Sequence, residues 1–179
     1  KTTKILSFLT VALFIVVWSI FVWYVGVDRL IETIGVRNGY LVVFFVALFG
    51  GFSALTSTSF YITVGVFSLN DFSPLIMGII GGLGVSLGDA VFFYFGVKGR
   101  ELLAKKYKKQ IQRFSRYING RPQWLVSLFV YIYSSTPFLP SDMLTITLAV
   151  LKRPFFMSII PIFLGNMTLI IAVAILVRQ

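Results

Sequence analysis

Apolar and polar positions alternate along this chain in long blocks. A helix needs ~20 consecutive apolar residues to cross a bilayer, and block length is the first guide to architecture. Residues 5–25 form one such block, with Trp18, Trp23 and Tyr24 near its far end as interface anchors. Residues 27–38 carry mixed charge, with Leu30, Ile31 and Ile34 on one helical face, which predicts a short surface connector. Residues 74–97 and 155–177 read as crossing helices. The first opens with Pro74, whose missing N–H costs nothing at a helix start. The second contains Pro161 and Gly165-Asn166, so a kink is expected. Residues 40–69 and 123–151 fit neither one pass nor two. Each has a polar interruption, Thr56-Ser57-Thr58-Ser59 in the first and Ser134 to Asp142 in the second. A hairpin that enters the membrane and returns to the same side accommodates both lengths. Non-helical backbone at that depth must be buried in protein or line a polar cavity, which implies a path for a polar solute or a lipid headgroup.

The expected fold is an all-α polytopic membrane protein. It has three crossing helices, two oppositely oriented re-entrant hairpins in an inverted repeat, and a cytoplasmic amphipathic basic helix. The chain divides into an N-terminal helix and connector (1–38), a first repeat (39–98), the basic segment (99–122) and a second repeat (123–179). Two weak echoes accompany the repeated order of elements: residues 61–66 resemble 145–150, and Leu87-Gly88-Asp89 resembles Leu164-Gly165-Asn166. Inverted repeats whose broken helices meet near mid-depth are a common transporter plan.

Composition agrees with a membrane chain: 58% of the 179 residues are hydrophobic and 12% charged, with a mean hydropathy of +0.92. Cysteine and histidine are both absent. That removes disulfides, thiolate sites, the usual metal ligand and the usual general base, so no cofactor, metal or catalytic set is expected. Residues 5–25 are too long for a signal-peptide core and are expected to be retained. If Lys1, Lys4, Lys98 to Arg121, Lys152 and Arg153 share one side, that side holds 13 basic residues against Glu101. The opposite side, with Asp28, Arg29, Glu32, Arg37, Asp71 and Arg178, is neutral. Basic loops stay inside, so the N-terminus is expected in the cytoplasm.

Asp89 and Asp142 are the acids within apolar segments. A charge at the bilayer centre costs ~2.5–3.5 kcal/mol or more, so such residues usually face a cavity or a partner. Each also has a structural reading, and an N-cap role suits Asp142. The hydroxyls of Thr56, Ser57, Thr58, Ser59, Ser134, Ser135, Thr136 and Ser141, with Pro137 and Pro140, mark the hairpin tips. They either line a path or satisfy broken helix ends. Gly78, Gly81, Gly82, Gly84 and Gly88 flatten one helix face for close packing, internally or in a homo-oligomer. The basic segment sets Leu103, Tyr107, Ile111, Phe114 and Ile118 at helical spacing among its lysines and arginines. That suits a helix lying on an anionic leaflet; no recognition motif for nucleic acid accompanies the charge. Lys98, Arg100, Arg121, Lys152 and Arg153 are placed to crowd the cytoplasmic mouth and attract headgroups.

The ordered set of two hairpins, Leu87-Gly88-Asp89 with Tyr94 and Gly96, a basic segment, and Pro137-Phe138-Leu139-Pro140-Ser141-Asp142 resembles the DedA family of the wider VTT, or SNARE-associated, superfamily. The resemblance covers about residues 40–177. It implies a prokaryotic plasma-membrane protein that flips or scrambles phospholipids or polyisoprenyl-phosphate carriers, with anionic lipids as partners and protons as a coupling ion. This chain departs from the family in two places. Thr56 to Ser59 stand where many members have an acid, and Thr136-Pro137 and Asp142-Met143 stand where many have arginines. Proton- or ion-coupled export of small cations through Asp89 and Asp142 is the alternative from the residues themselves. Ser86-Leu87-Gly88-Asp89 also lies near the G-x-G-D motif of intramembrane aspartyl proteases, with Ser86 in place of the first glycine.

Overall fold

The computed structural model describes residues 38–50, 54–99, 112, 115, 116, 120–137, 139 and 141–179. Among them are six helices and no strand: α1 (Gly39–Gly50), α2 (Ala54–Leu69), α3 (Pro74–Lys98), α4 (Gln123–Ser134), α5 (Ser141–Val150) and α6 (Phe155–Val177). The expected helix over 5–25, the connector and most of the basic segment lie outside the described residues; Gln112, Ser115 and Arg116 within that segment are helical. The two long helices, of 25 and 23 residues, extend ~37 and ~34 Å at 1.5 Å per residue, enough for a ~30 Å hydrocarbon core. Both are long and apolar enough to cross a membrane. The outward face of α3 is Leu75, Ile76, Ile79, Leu83, Leu87, Val91 and Tyr94, and that of α6 includes Phe156, Ile160, Leu164 and Leu176. Faces this apolar suit lipid better than water.

The other four helices are shorter than a crossing, at 12, 16, 12 and 10 residues. They pair around the long ones. The backbone N–H of Ser73 donates to the Tyr40 hydroxyl at 3.0 Å, so α1 starts beside the start of α3. It runs alongside α3 to Gly84, where a Cβ would sit 2.6 Å from the Phe44 carbonyl and 2.8 Å from Ala47 Cβ. Helix α2 then returns, since a Cβ on Gly39 would meet Phe67 and Phe72 at 2.6–2.7 Å. The hairpin α1–α2 therefore opens at the Pro74 end of α3 and reaches its middle. The second hairpin repeats this at the opposite end. Arg153 Nη1 donates to Gln123 Oε1 at 3.0 Å, joining the starts of α4 and α6. At Gly165 a Cβ would sit 2.6 Å from the Tyr131 carbonyl and 2.7 Å from Ser134 Cβ.

Helices α3 and α6 are antiparallel, with Gly78 against Ile171 and Gly82 against Met167. That register puts Gly84 and Gly165 at one level. The glycine face of α3 is thus consumed internally, against α6, α1 and, at Gly96, against Ile146 and Ala149 of α5.

Between α2–α3 and α5–α6 several features recur at a separation of 81 residues. Gly84 corresponds to Gly165. Asp71 and Lys152 both have left-handed backbone, with φ 61° and 62°. Each closes the same turn, with Phe72 N donating to the Phe67 carbonyl (3.3 Å) and Arg153 N to the Leu148 carbonyl (3.1 Å). Every buried residue of α6 except Pro161 corresponds to a buried residue of α3. This recurrence joins α2 to α5 and α3 to α6. Its register is not that of the two sequence echoes, which fall three and four residues away, about one helical turn. A slip of one turn keeps the buried face, so apolar letters alone do not distinguish the two registers.

The first break also differs from expectation. Thr56, Ser57, Thr58 and Ser59 are helical, and residues 51–53, between α1 and α2, lie outside the described residues. Threonine and serine cost a helix only about half as much as glycine, so this run does not interrupt α2. Helix α6 continues through Pro161 as one element.

Candidate functional site

Asp89 lies on α3 just over one turn past Gly84 and is 3% exposed. Its Oδ1 is 3.2 Å from Thr145 Oγ1 on α5, and Thr145 Oγ1 is also 2.8 Å from the Ser141 carbonyl. One hydroxyl proton faces two acceptors, so the carboxyl and the first turn of α5 share it. The positive end of the α5 dipole at this point favours a carboxylate. Ser86, three residues before Asp89, occupies the same helix face. The hydroxyls of Ser86 and Ser134 are buried and have no hydrogen-bond partner among the described residues, and Ser141 is buried at the start of α5.

The pseudo-equivalent positions show what is particular to this place. Ser141, Thr145, Asn166 and Asp89 correspond, 81 residues apart, to Phe60, Val64, Val85 and Ile170, which belong to one continuous apolar cluster with Val43 and Ala47. Ser134, which packs on Gly165, corresponds to residue 53 by number and to Ala47 by contact, since Ala47 packs on Gly84. At these four positions the first half places hydrocarbon, although Thr63 is buried between two of them. At the corresponding positions the other places a carboxyl, hydroxyls and an amide, of which Asp89 and Thr145 are in contact. Burying such groups is unfavourable without hydrogen bonds, so the polar version is expected to have a role that the apolar one lacks.

The remaining hydroxyls divide. Ser135 Oγ and Thr136 Oγ1 donate to the Ile132 carbonyl at 2.9 and 2.8 Å, closing the end of α4. They satisfy a helix terminus, as in the structural reading of the tip hydroxyls. Pro137 is exposed. Asp142 is the second residue of α5, one position inside the helix rather than at its cap. An acid there still meets the dipole favourably. Pro140 and the side chains of Thr56 to Ser59 and Asp142 lie outside the described residues. Thr145, Ser86 and Asn166 do not stand out in the sequence as site residues. Thr145 carries one signal, standing four residues after Ser141 and so on its helix face.

The cations collect at one end. Lys98, whose Nζ is 5.4 Å from the Tyr94 ring centroid, ends α3. Lys152 and Arg153 form the turn before α6, and Arg121 precedes Gln123, the partner of Arg153. Arg100 lies outside the described residues. Asp71 and Arg178 sit at the other end, beside Phe72. No group of three or more potential metal-ligating side chains occurs among the described residues. Comparison with protein-family models, curated proteins and solved structures finds no match.

Proposed function

We propose that this chain is a membrane lipid transporter of DedA type, flipping or scrambling a phospholipid or polyisoprenyl-phosphate lipid. The observation that carries the reading is the buried polar cluster around Asp89 at the tip of a hairpin ending halfway along two antiparallel apolar helices. In a bilayer aligned with α3 and α6, both hairpins become re-entrant and the cluster lies near mid-depth. A headgroup would meet hydroxyls and a carboxyl there while its acyl chains stay in lipid. Lys98, Arg121, Lys152 and Arg153 supply a basic rim at the cytoplasmic end, where phosphate headgroups are drawn by charge.

Reconstitution into liposomes with labelled lipids tests this. Transbilayer movement above that of empty vesicles is expected for at least one anionic lipid, and none across phospholipids and polyisoprenyl phosphates would refute it. A second reading, export of a small cation coupled through a carboxylate, is favoured by the contact between Asp89 and Thr145. Asp89→Asn separates the two: lipid movement survives the loss of charge if the cluster is a polar surface, whereas a coupled carrier loses its flux.

A further inference from the structure

Two serines halfway along the bundle bury their hydroxyls with nothing to bond. Ser86 on α3 is 6% exposed and Ser134 at the end of α4 is 5% exposed. Neither Oγ has a hydrogen-bond partner among the described residues. Ser134 packs on Gly165, which lies level with Gly84, and Ser86 follows Gly84 by two residues. At 1.5 Å per residue, the two serines therefore differ by ~3 Å in height along the long helices. Asp89 stands three residues beyond Ser86, its carboxyl 3.2 Å from Thr145 Oγ1. Helices α4, α5 and α6 contain no lysine or arginine, and α3 has only Lys98, at its end. A buried hydroxyl without a partner is unfavourable and uncommon in folded proteins. Two at one level, beside a carboxyl, point to a partner that comes from outside the chain.

We infer that this place receives the hydroxyl-bearing part of a lipid headgroup, a glycerol or other polyol, with Ser86 and Ser134 as its partners. The inference rests on the transport reading and narrows its substrate. A polyol O–H both donates and accepts, so one such group satisfies a serine hydroxyl whichever way it turns, and another donates to the Asp89 carboxyl. A phosphate oxygen only accepts, and α4, α5 and α6 supply no positive charge to hold it beside that carboxyl. A trimethylammonium group has no N–H to donate. The depth of the site assigns the polyol to a lipid. It lies midway along two helices whose outer faces are apolar, where acyl chains anchor a headgroup and a free polyol has no anchor. Both serines are packed away in the arrangement described, so the headgroup enters as the tip of α4 parts from Gly165, the contact that covers Ser134.

Short-chain phosphatidylglycerol and phosphatidylmethanol provide the test, because they carry the same charge and differ in the glycerol hydroxyls. The full chain in detergent is unfolded by heat with one lipid or the other at equal, saturating concentration. Phosphatidylglycerol should bind roughly threefold to tenfold more tightly, read as a midpoint ~1–6 °C higher. Ser86→Ala combined with Ser134→Ala should abolish that difference. The midpoint of the same variant without lipid should stay unchanged or rise, since neither hydroxyl has a bond to lose. A fall in the lipid-free midpoint would overturn the inference, because it shows the hydroxyls bonded in the empty protein. Equal binding of the two lipids by the unaltered chain, or a preference that survives the double substitution, would do the same. Glycerol 3-phosphate, the headgroup without its chains, should shift the midpoint far less than phosphatidylglycerol; an equal shift would defeat the assignment to a lipid. The readout is binding, so failure here is distinct from an absence of lipid movement in liposomes, which would remove the transport reading.

Discussion

Replacing three glycines by alanine tests the central packing quantitatively, because the same chemical change meets three different surroundings. At Gly65 the new Cβ meets nothing closer than 3.7 Å. Alanine there should stabilise the helix by ~1 kcal/mol, the usual difference in propensity. At Gly84 and Gly165 the same methyl meets backbone carbonyls at 2.6 Å and side-chain Cβ atoms at 2.8 and 2.7 Å. Backbone cannot rotate away, so α1 must part from α3, or α4 from α6, until the contact relaxes. An opening of ~0.5–1 Å forfeits about a quarter to a half of each dispersion contact along the seam. Overpacking of this kind costs ~1–3 kcal/mol, which exceeds or cancels the propensity gain. At ~2–4 °C per kcal/mol for a chain of this size, Gly65→Ala should raise the unfolding midpoint in detergent by that amount. Gly84→Ala and Gly165→Ala should leave it unchanged or lower it by up to ~8 °C. The two central variants should resemble each other, because their surroundings correspond. If either one stabilises as Gly65→Ala does, the close approach of hairpin and crossing helix is wrong.

Thr145→Val removes the hydroxyl shared by Asp89 and the Ser141 carbonyl, and should lower stability by ~1–3 kcal/mol, read as a fall in the same midpoint. Asp89→Ile, the residue its counterpart Ile170 supplies, should retain the fold but abolish lipid movement; near-normal transport in a folded variant would remove the polar cluster from the path. Lys98→Glu with Arg153→Glu should slow movement of anionic lipids more than zwitterionic ones, with the difference shrinking at high salt as screening shortens the reach of charge.

The lengths of apolar blocks are enough to place both long helices and the second break, because Pro137, Pro140 and the hydroxyls around them leave few helical options. The Thr56 to Ser59 run does not interrupt α2, because threonine and serine cost a helix less than its apolar neighbours gain by packing. The repeat is legible as an order of elements but not as an alignment. Its register is set by which residues approach closely, and close approach depends on small residues at single positions such as Gly84 and Gly165, diluted by apolar neighbours that fit either register. Asp89 stands out as an acid among apolar residues. Its partner Thr145 does not, because the contact joins residues 56 apart and depends on the packing of α5 against α3. The asymmetry between a polar and an apolar centre becomes visible only in the correct register.

The way the second arm of each hairpin lies against the long helix of the opposite half has a consequence for how the chain assembles. Helix α2 rests on α6 and α5 on α3, so neither half completes itself. Each lends an arm to its neighbour, like two hands clasped. A polypeptide ending after residue 99 would present α3 with a vacant flank and leave α2 only α1 to rest on. Supplied with the remainder as a separate fragment, the same piece has its missing complement, and the severed protein should reconstitute from two strangers that are each incomplete.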